Sequence, residues 1–456
     1  MKTELFGKEE TAMDIRKCIN IVEKHRAKIL EVERYIWAHP ESGFKEWNTT
    51  KYLGKIFEDA GYTLTYAGDI PGFYTDIDTG RPGPKVLILG EMDALVAPTH
   101  PEAVNGCAHA CGHNAQCAAL VGCALALKEP GALDGLCGSI RLMAVPAEEL
   151  IEIEFRNSLR EKGIIHYLGG KVEYLYRGYM DGCDFAYMNH ARCNAATPFD
   201  IEGSNGCMAK SVTYEGFASH AGGSPDKGIN ALYAATMGLN AINSLRETFR
   251  DDEHVRVHPV IHEAGGATNI IPSKAVLSSY VRGATVESMI RTNKKVNRAL
   301  AAGALALGAK VKVSDRNGYA PLINDPGMCS VARDAAEALC GKGSCADLEW
   351  SCGSTDNGDV SCVIRTVQPH IMGASGHGHG DDYQITDPES CCVLNATHEV
   401  LMAMLLLEND AARGKEVLAG PPLRFANKEA YFAEMDKLNY DGDLVTYTDE
   451  GAEIHF

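Results

Sequence analysis

Apolar residues recur along this chain in two rhythms, and the changes between them mark out its elements. From 13 to 38 they fall at helical spacing until His39-Pro40 stops the run, because proline restricts the residue before it and cannot continue a helix. A second helix follows. Strand-like runs at 73–77 and 85–90 precede an Ala-rich helix at 115–127, a strand at 139–145, a helix near 158–168 and a strand at 184–190. The runs ending at Val145 and Asn189 are apolar but for Arg141 and the closing Asn189, the character of strands buried on both faces. Strands alternating with helices predict a mixed, mostly parallel sheet covered by helices, an α/β fold.

After about Gly206 the order changes. A strand at 210–217, a helix at 228–249, strands at 255–264 and 275–282, a helix at 288–307 and a strand at 309–315 give βαββαβ, the order of a ferredoxin-like α+β unit. From Pro326 the α/β alternation resumes, with an apolar run at 361–364 and a helix at 391–407. The reading is therefore one domain inserted in another: a catalytic domain from 1–205 and 320–456, and an insert at 206–319. The acidic, aromatic stretch from Gly420 reads no further than a surface wrap or arm.

A chain of 456 residues exceeds the usual size of one hydrophobic core, which agrees with two domains. Its net charge of −18 repels nucleic acid and anionic membranes and argues against both as partners. The opening residues 1–10 carry no apolar core of signal-peptide length, and no stretch is expected to span a bilayer, so a cytoplasmic location is expected. The sixteen cysteines are irregularly spaced in a long chain, which favours reduced thiols over a disulfide framework. Cys107, Cys111, Cys117 and Cys123 do not fit the spacing of a zinc ribbon or of iron–sulfur ligands.

The candidate chemistry lies where apolar segments end. Asp93 follows one strand, Cys111-Gly112-His113 opens the Ala-rich helix, Glu148-Glu149 follows the strand ending at Val145, His190 closes the 184–190 run, and His379 lies in Gly376-His377-Gly378-His379-Gly380. Ligands gather at the carboxyl ends of strands in open α/β sheets, so these groups are expected to converge on a two-metal hydrolase centre. Thiolate, imidazole and carboxylate together suit zinc, manganese or cobalt, and the cysteine favours the softer ions. Adjacent residues at a strand end point to opposite sides, so one of Glu148 and Glu149 is expected on a metal and the other toward substrate.

Seven segments occur in the order of a known family: His39-Pro40-Glu41 with Glu46, Met92-Asp93-Ala94-Leu95, His109-Ala110-Cys111-Gly112-His113-Asn114, Pro146-Ala147-Glu148-Glu149, Ser219-His220-Ala221, Asn269-Ile270-Ile271-Pro272 and the run from Gly353 to Ser361. On these the chain resembles the M20 metallopeptidases, in the amidohydrolase branch that includes aminobenzoyl-glutamate hydrolase and related dipeptidases. The resemblance implies two divalent ions held by Cys111, His113, Glu149, His190 and His379, with Cys111 bridging and His377 the alternative to His379. It implies Glu148 as general base toward water, Asp93 orienting a ligand, and His220 offered to the substrate carbonyl. Asn269 and Arg282 are implied to bind substrate, Arg282 through a carboxylate. The insert is implied to be a lid and dimerisation domain, in a homodimer or with a related second subunit. Glu91 departs from the pattern, standing where many members carry a metal-binding histidine. The implied activity is hydrolysis of an amide in an N-acyl amino acid, an aminobenzoyl-glutamate-like conjugate or a dipeptide. The alternatives are a non-catalytic partner subunit and a carboxylate-binding protein of the same fold.

Overall fold

The computed structural model describes residues 15–455; the expected helix start at Met13 and the opening segment 1–10 lie outside them. Contacts divide the chain into two units. The first comprises the chain up to Glu202, Asn324–Glu349 and Ile364–Leu423, and the second Gly203–Ile323, Trp350–Val363 and the chain from Arg424 onward. Residues 350–363 and 424 onward thus depart from the expected boundaries, which placed them in the catalytic domain.

The first unit is built on a six-stranded mixed sheet in the order Thr65–Tyr66, Phe73–Asp78, Ser139–Val145, Lys85–Glu91, Phe185–Tyr187, Arg365–Val367. The last four strands are mutually parallel and the first two antiparallel to their neighbours. Lys85–Glu91 is buried from Val86 onward, as its unbroken apolar run requires. The helix His113–Leu127 is buried at every position but Leu125. Its sequence is Ala-, Leu- and Cys-rich all round, so it has no solvent face to offer. A smaller sheet carries Cys345–Asp347, Phe199–Ile201, Pro369–Ser375 and Gln384–Ile385, with His190–Cys193 parallel to Pro369–Ser375.

Several elements differ from expectation. The first helix is two, Ile15–Glu23 and Arg26–Trp37, interrupted where His25 turns its ring to Glu129 at 2.9 Å. The expected helix at 158–168 is replaced by Ile153–Glu161 and Gly170–Tyr176, because Gly163 takes a φ of 70° that ends the first. The run at 361–364 follows a short helix, Asn357–Ser361. The expected helix at 391–407 extends over Glu389–Leu418. It begins as a π-turn through Leu394 and loses helical geometry at Glu408–Ala411. Contrary to the sequence reading, this segment is long and apolar enough to cross a membrane, yet 83% of its most apolar window is buried inside the fold. It serves as a core helix.

The second unit has a five-stranded sheet in the order Arg256–Glu263, Lys274–Gly283, Gly206–Glu215, Lys310–Tyr319, Tyr440–Asp443, every pairing antiparallel. Lys274–Gly283 alternates buried and half-exposed positions after an exposed start, as a strand packed on one face must. The helices Ala231–Ser244 and Val286–Leu307 pack with this sheet. The second begins in a capping box between Thr285 and Ser288, which satisfies two otherwise orphaned N–H groups. The C-terminal stretch, read from the sequence only as a wrap or arm, supplies the fifth strand, the helix Lys428–Met435 and a hairpin.

Candidate active site

Backbone reversals in the first unit bring the predicted ligands together. After the strand Lys85–Glu91, Asp93 lies buried. Its side chain faces two elements: Oδ1 is 3.1 Å from Nδ1 of His113, and Oδ2 accepts the Glu149 N–H at 2.8 Å. The main-chain carbonyl of Asp93 also accepts from His113 Nδ1 at 2.8 Å. His113 Nδ1 is thereby occupied and Nε2 left bare, the arrangement a second group imposes on a ligand histidine. His190 is set in the same way, with Nδ1 on the Ala191 carbonyl at 2.9 Å and Nε2 3.3 Å from the Cys111 sulfur.

Cys111 and His113 reach one centre because Gly112 between them takes a φ of 91°. A Cβ there would stand 2.5 Å from Tyr383 Oη and 2.8 Å from Ala191 Cβ, so glycine serves both conformation and space. The loop carrying His379 is tied to this turn by its N–H to the Ala110 carbonyl at 2.9 Å, and His379 Nε2 stands 3.2 Å from Glu149 Oε1. His377 is almost fully exposed and paired with Asp382 at 2.8 Å. Of the two candidate histidines, the fold brings His379 to the cluster.

Donor atoms of Cys111, His113 and His190 lie within 4.8 Å of one another, as do those of Cys111, Glu149 and His379, and those of His113, Glu148 and Glu149. Cys111 belongs to two of these groups. Two buried atoms, His113 Nε2 and Glu149 Oε1, have no hydrogen-bond partner, although Glu91 Oε2 approaches the first at 3.1 Å and His379 the second at 3.2 Å. Buried polar groups left unpaired are rare and call for a ligand or ion. The donor set therefore fits divalent metal.

Electrostatics agree. Burial alone would push the Cys111 thiol up, but His190 and His113 hold it well below its usual range, which favours the thiolate, the form that binds metal. The close approach of the Cys111 sulfur, then of the Glu149 carboxylate, raises His379 to about 11.

One expectation needs correction. The strand ends at Val145, and Ala147 takes a φ of 58°, so strand alternation does not reach Glu148 and Glu149. Both carboxylates converge on His113, with Glu148 Oε2 4.0 Å from its Nε2. Another concerns His190, which opens the strand His190–Cys193 of the smaller sheet and does not close Phe185–Tyr187.

His220, Asn269 and Arg282 belong to the second unit. His220 is bridged to Ile270, and the Ala221 N–H reaches the Asn269 carbonyl at 3.0 Å. Arg282 lies at the far end of the strand Lys274–Gly283, roughly 25 Å along it from the His220–Asn269 pair. The fold brings the first two together and sets Arg282 apart.

Two residues beside the first centre carry no role in the sequence reading. Glu91 reads only as a departure from the family pattern, and Lys171 does not stand out at all; both are wholly buried and paired with each other. A lysine directly after Gly169-Gly170 gives no sequence signal of such a role.

The model of Peptidase family M20/M25/M40 matches residues 73–403. The chain belongs to this family. It is 28% identical to mouse Xaa-Arg dipeptidase over 387 residues, 81% of this chain and 82% of that protein. It is 29% identical to one of the p-aminobenzoyl-glutamate hydrolase chains of Escherichia coli over 279 residues, 57% of this chain and 52% of that one. Among solved structures, a dinuclear metal-binding M20 peptidase of Bacillus subtilis superposes with a TM-score of 0.63 at 20% identity, covering 84% of this chain and 99% of its own. This M20 protein is a metal-dependent amidohydrolase or peptidase, of the same α/β fold.

Proposed function

We propose that this M20 protein cleaves the amide bond of an N-acyl amino acid, an aminobenzoyl-glutamate-like conjugate or a dipeptide, using Glu148 as general base. The observation that carries the reading is the Cys111 sulfur shared by two donor groups, beside the orphaned His113 Nε2 and Glu149 Oε1. Cys111, His113, Glu149, His190 and His379 would hold two divalent ions, zinc, manganese or cobalt. Such a pair, when bound, makes water a nucleophile at neutral pH and polarises a scissile carbonyl. Glu148, nearly buried at the rim of this set, takes the proton of the attacking water and returns it to the leaving nitrogen. Asp93 fixes the His113 ring.

The names of the dipeptidase and the p-aminobenzoyl-glutamate hydrolase support the substrate class. In the second unit, His220 and Asn269 are read as substrate contacts and Arg282 as the carboxylate site. Arg282 Nε is buried without a hydrogen-bond partner, and its neighbour across the ladder is another cation, Arg256. The same unit is read as lid and dimer surface, in a homodimer or with a related chain. Its edge strand exposes Val260 and Ile261, and the helix Ala231–Ser244 exposes Tyr233 and Met237. An uncovered apolar edge is a template for pairing. All sixteen cysteines are free, which suits a reducing, cytoplasmic setting.

The test is amide hydrolysis by metal-stripped protein given zinc, manganese or cobalt separately, with Glu148→Gln alongside. Turnover should return with metal and fall by about 10²–10⁴-fold in the variant, which keeps its metal. Metal bound at two ions per chain without turnover would point to a missing second chain. No metal bound would end the reading.

A further inference from the structure

Glu91 and Lys171 form an ion pair with both side chains fully buried. Taking two charges out of water costs more than their attraction commonly returns, so a pair placed against a functional cluster asks for a reason. Its geometry supplies one. Glu91 Oε1 accepts from the Lys171 ammonium. Oε2 accepts from Gln116 Nε2 at 2.8 Å and keeps a lone pair toward His113, whose Nε2 is 3.1 Å away. That approach is not a hydrogen bond, since His113 Nε2 remains without a partner. It matches the contact between two residues of the proposed ligand set, His379 Nε2 and Glu149 Oε1, at 3.2 Å with Glu149 Oε1 likewise orphaned. Two donors that share one ion at about 2.0–2.2 Å stand roughly 3.0–3.5 Å apart.

We infer that Glu91 is a further metal ligand of this chain, binding through Oε2, and that Lys171 is its positioning residue. The inference rests on the metal-centre reading above. The ammonium does two things. It fixes the rotamer of Glu91 by holding the oxygen that faces away from His113. It also cancels the charge of a carboxylate added to a centre that already holds Cys111, Glu148 and Glu149. The backbone delivers Lys171 to this place: Gly170 packs so tightly against the Glu148 turn that a Cβ there would stand 1.6 Å from the Pro146 carbonyl oxygen, and its N–H donates to Ala147 O at 3.1 Å.

The test measures metal, not turnover. Metal-stripped wild type, Glu91→Gln and the double variant Glu91→Gln/Lys171→Met are titrated with zinc by calorimetry, and the visible absorption of the cobalt-loaded forms is recorded. The double variant removes both charges together, so it covers the case in which Glu91→Gln alone fails to fold around an unpaired lysine. The expected result is one ion bound at least about tenfold more weakly, the loss usual even for groups that merely hold a ligand, with a changed cobalt spectrum and an unchanged circular-dichroism signature. Two ions bound with wild-type affinity and spectrum in a folded variant would overturn the inference and leave the main reading standing. A wild type that binds no ion would sink both, and the comparison separates the two failures.

Discussion

Asp93→Asn is the most discriminating single change at this centre, because it keeps volume and removes one acceptor. The carboxylate receives the Glu149 N–H at Oδ2 and stands against His113 Nδ1 at Oδ1. An asparagine has one oxygen for these two donors, so its NH₂ must face one of them. If it faces Glu149, a buried N–H is stranded in the turn carrying both carboxylates, at a cost of about 1–3 kcal/mol. If it faces His113, Nδ1 keeps only the Asp93 main-chain carbonyl, and metal affinity should fall by up to about 10–100-fold, or roughly 1.4–2.7 kcal/mol. The two routes have similar size, so the variant should show both effects in part. Calorimetric titration of metal-stripped protein with zinc reads the second, and urea unfolding of the same preparation reads the first. Affinity within about threefold of wild type together with an unchanged urea midpoint would show that Asp93 neither orients His113 nor holds the Glu149 turn.

Cys111→Ser should weaken zinc and cobalt binding far more than manganese binding, since the thiolate is the soft member of the set; equal losses for all three ions by calorimetry would remove Cys111 from the ligands. Gly112→Ala forces a Cβ into a left-handed residue and against Tyr383, costing about 1–2 kcal/mol of backbone strain and about 1–3 of overpacking; a variant that unfolds at the wild-type urea midpoint would contradict this. Glu399 is pushed up to about 8 by burial, against the opposing Asn189 N–H bond. The folded state therefore holds a proton that the unfolded chain releases, and stability falls as pH rises from about 4.5 to about 8, by on the order of 4 kcal/mol. Glu399→Gln should flatten that slope in urea melts at stepped pH, and parallel curves for variant and wild type would refute the assignment.

The alternation of strands and helices was legible because buried parallel strands are mostly apolar, and Ser139–Val145, apolar from Ile140 on except for Arg141, emerges at the expected residues. The break at His190 was not. Asn189 donates its N–H to Glu399 at 3.0 Å and its side-chain amide to Asn395 at 2.9 Å and His398 at 3.0 Å, so the chain leaves the first sheet just before His190. The partners lie some two hundred residues on, beyond any local pattern. The C-terminal strand Tyr440–Asp443 was hidden for a related reason: it is an edge strand, half-exposed or exposed throughout, and so shows no apolar alternation.

The candidate ligand residues were visible as types, but the conformations that aim them were not, and the difference has a physical source. Three residues at the centre take left-handed backbone angles: Gly112, Ala147 and His379. Glycine announces such a turn; alanine and histidine do not, because for them the conformation is unfavourable and persists only where the surroundings over-determine it, at about 1–3 kcal/mol each. At Ala147 those surroundings can be named. Its N–H donates to buried Glu46 at 2.8 Å, its carbonyl accepts from Gly170, and Arg156, wholly buried, binds the carbonyls of Leu168 and Glu149. Glu46, Arg156 and Gly170 touch no candidate metal donor through these bonds except by way of Glu149's main chain. Their work is to hold a strained turn that bends Glu148 and Glu149 to the same side, against the alternation a strand would impose. The chemistry of the centre is thus written locally in Cys111, His113 and the two glutamates, while its geometry is held by residues that earlier and later segments contribute.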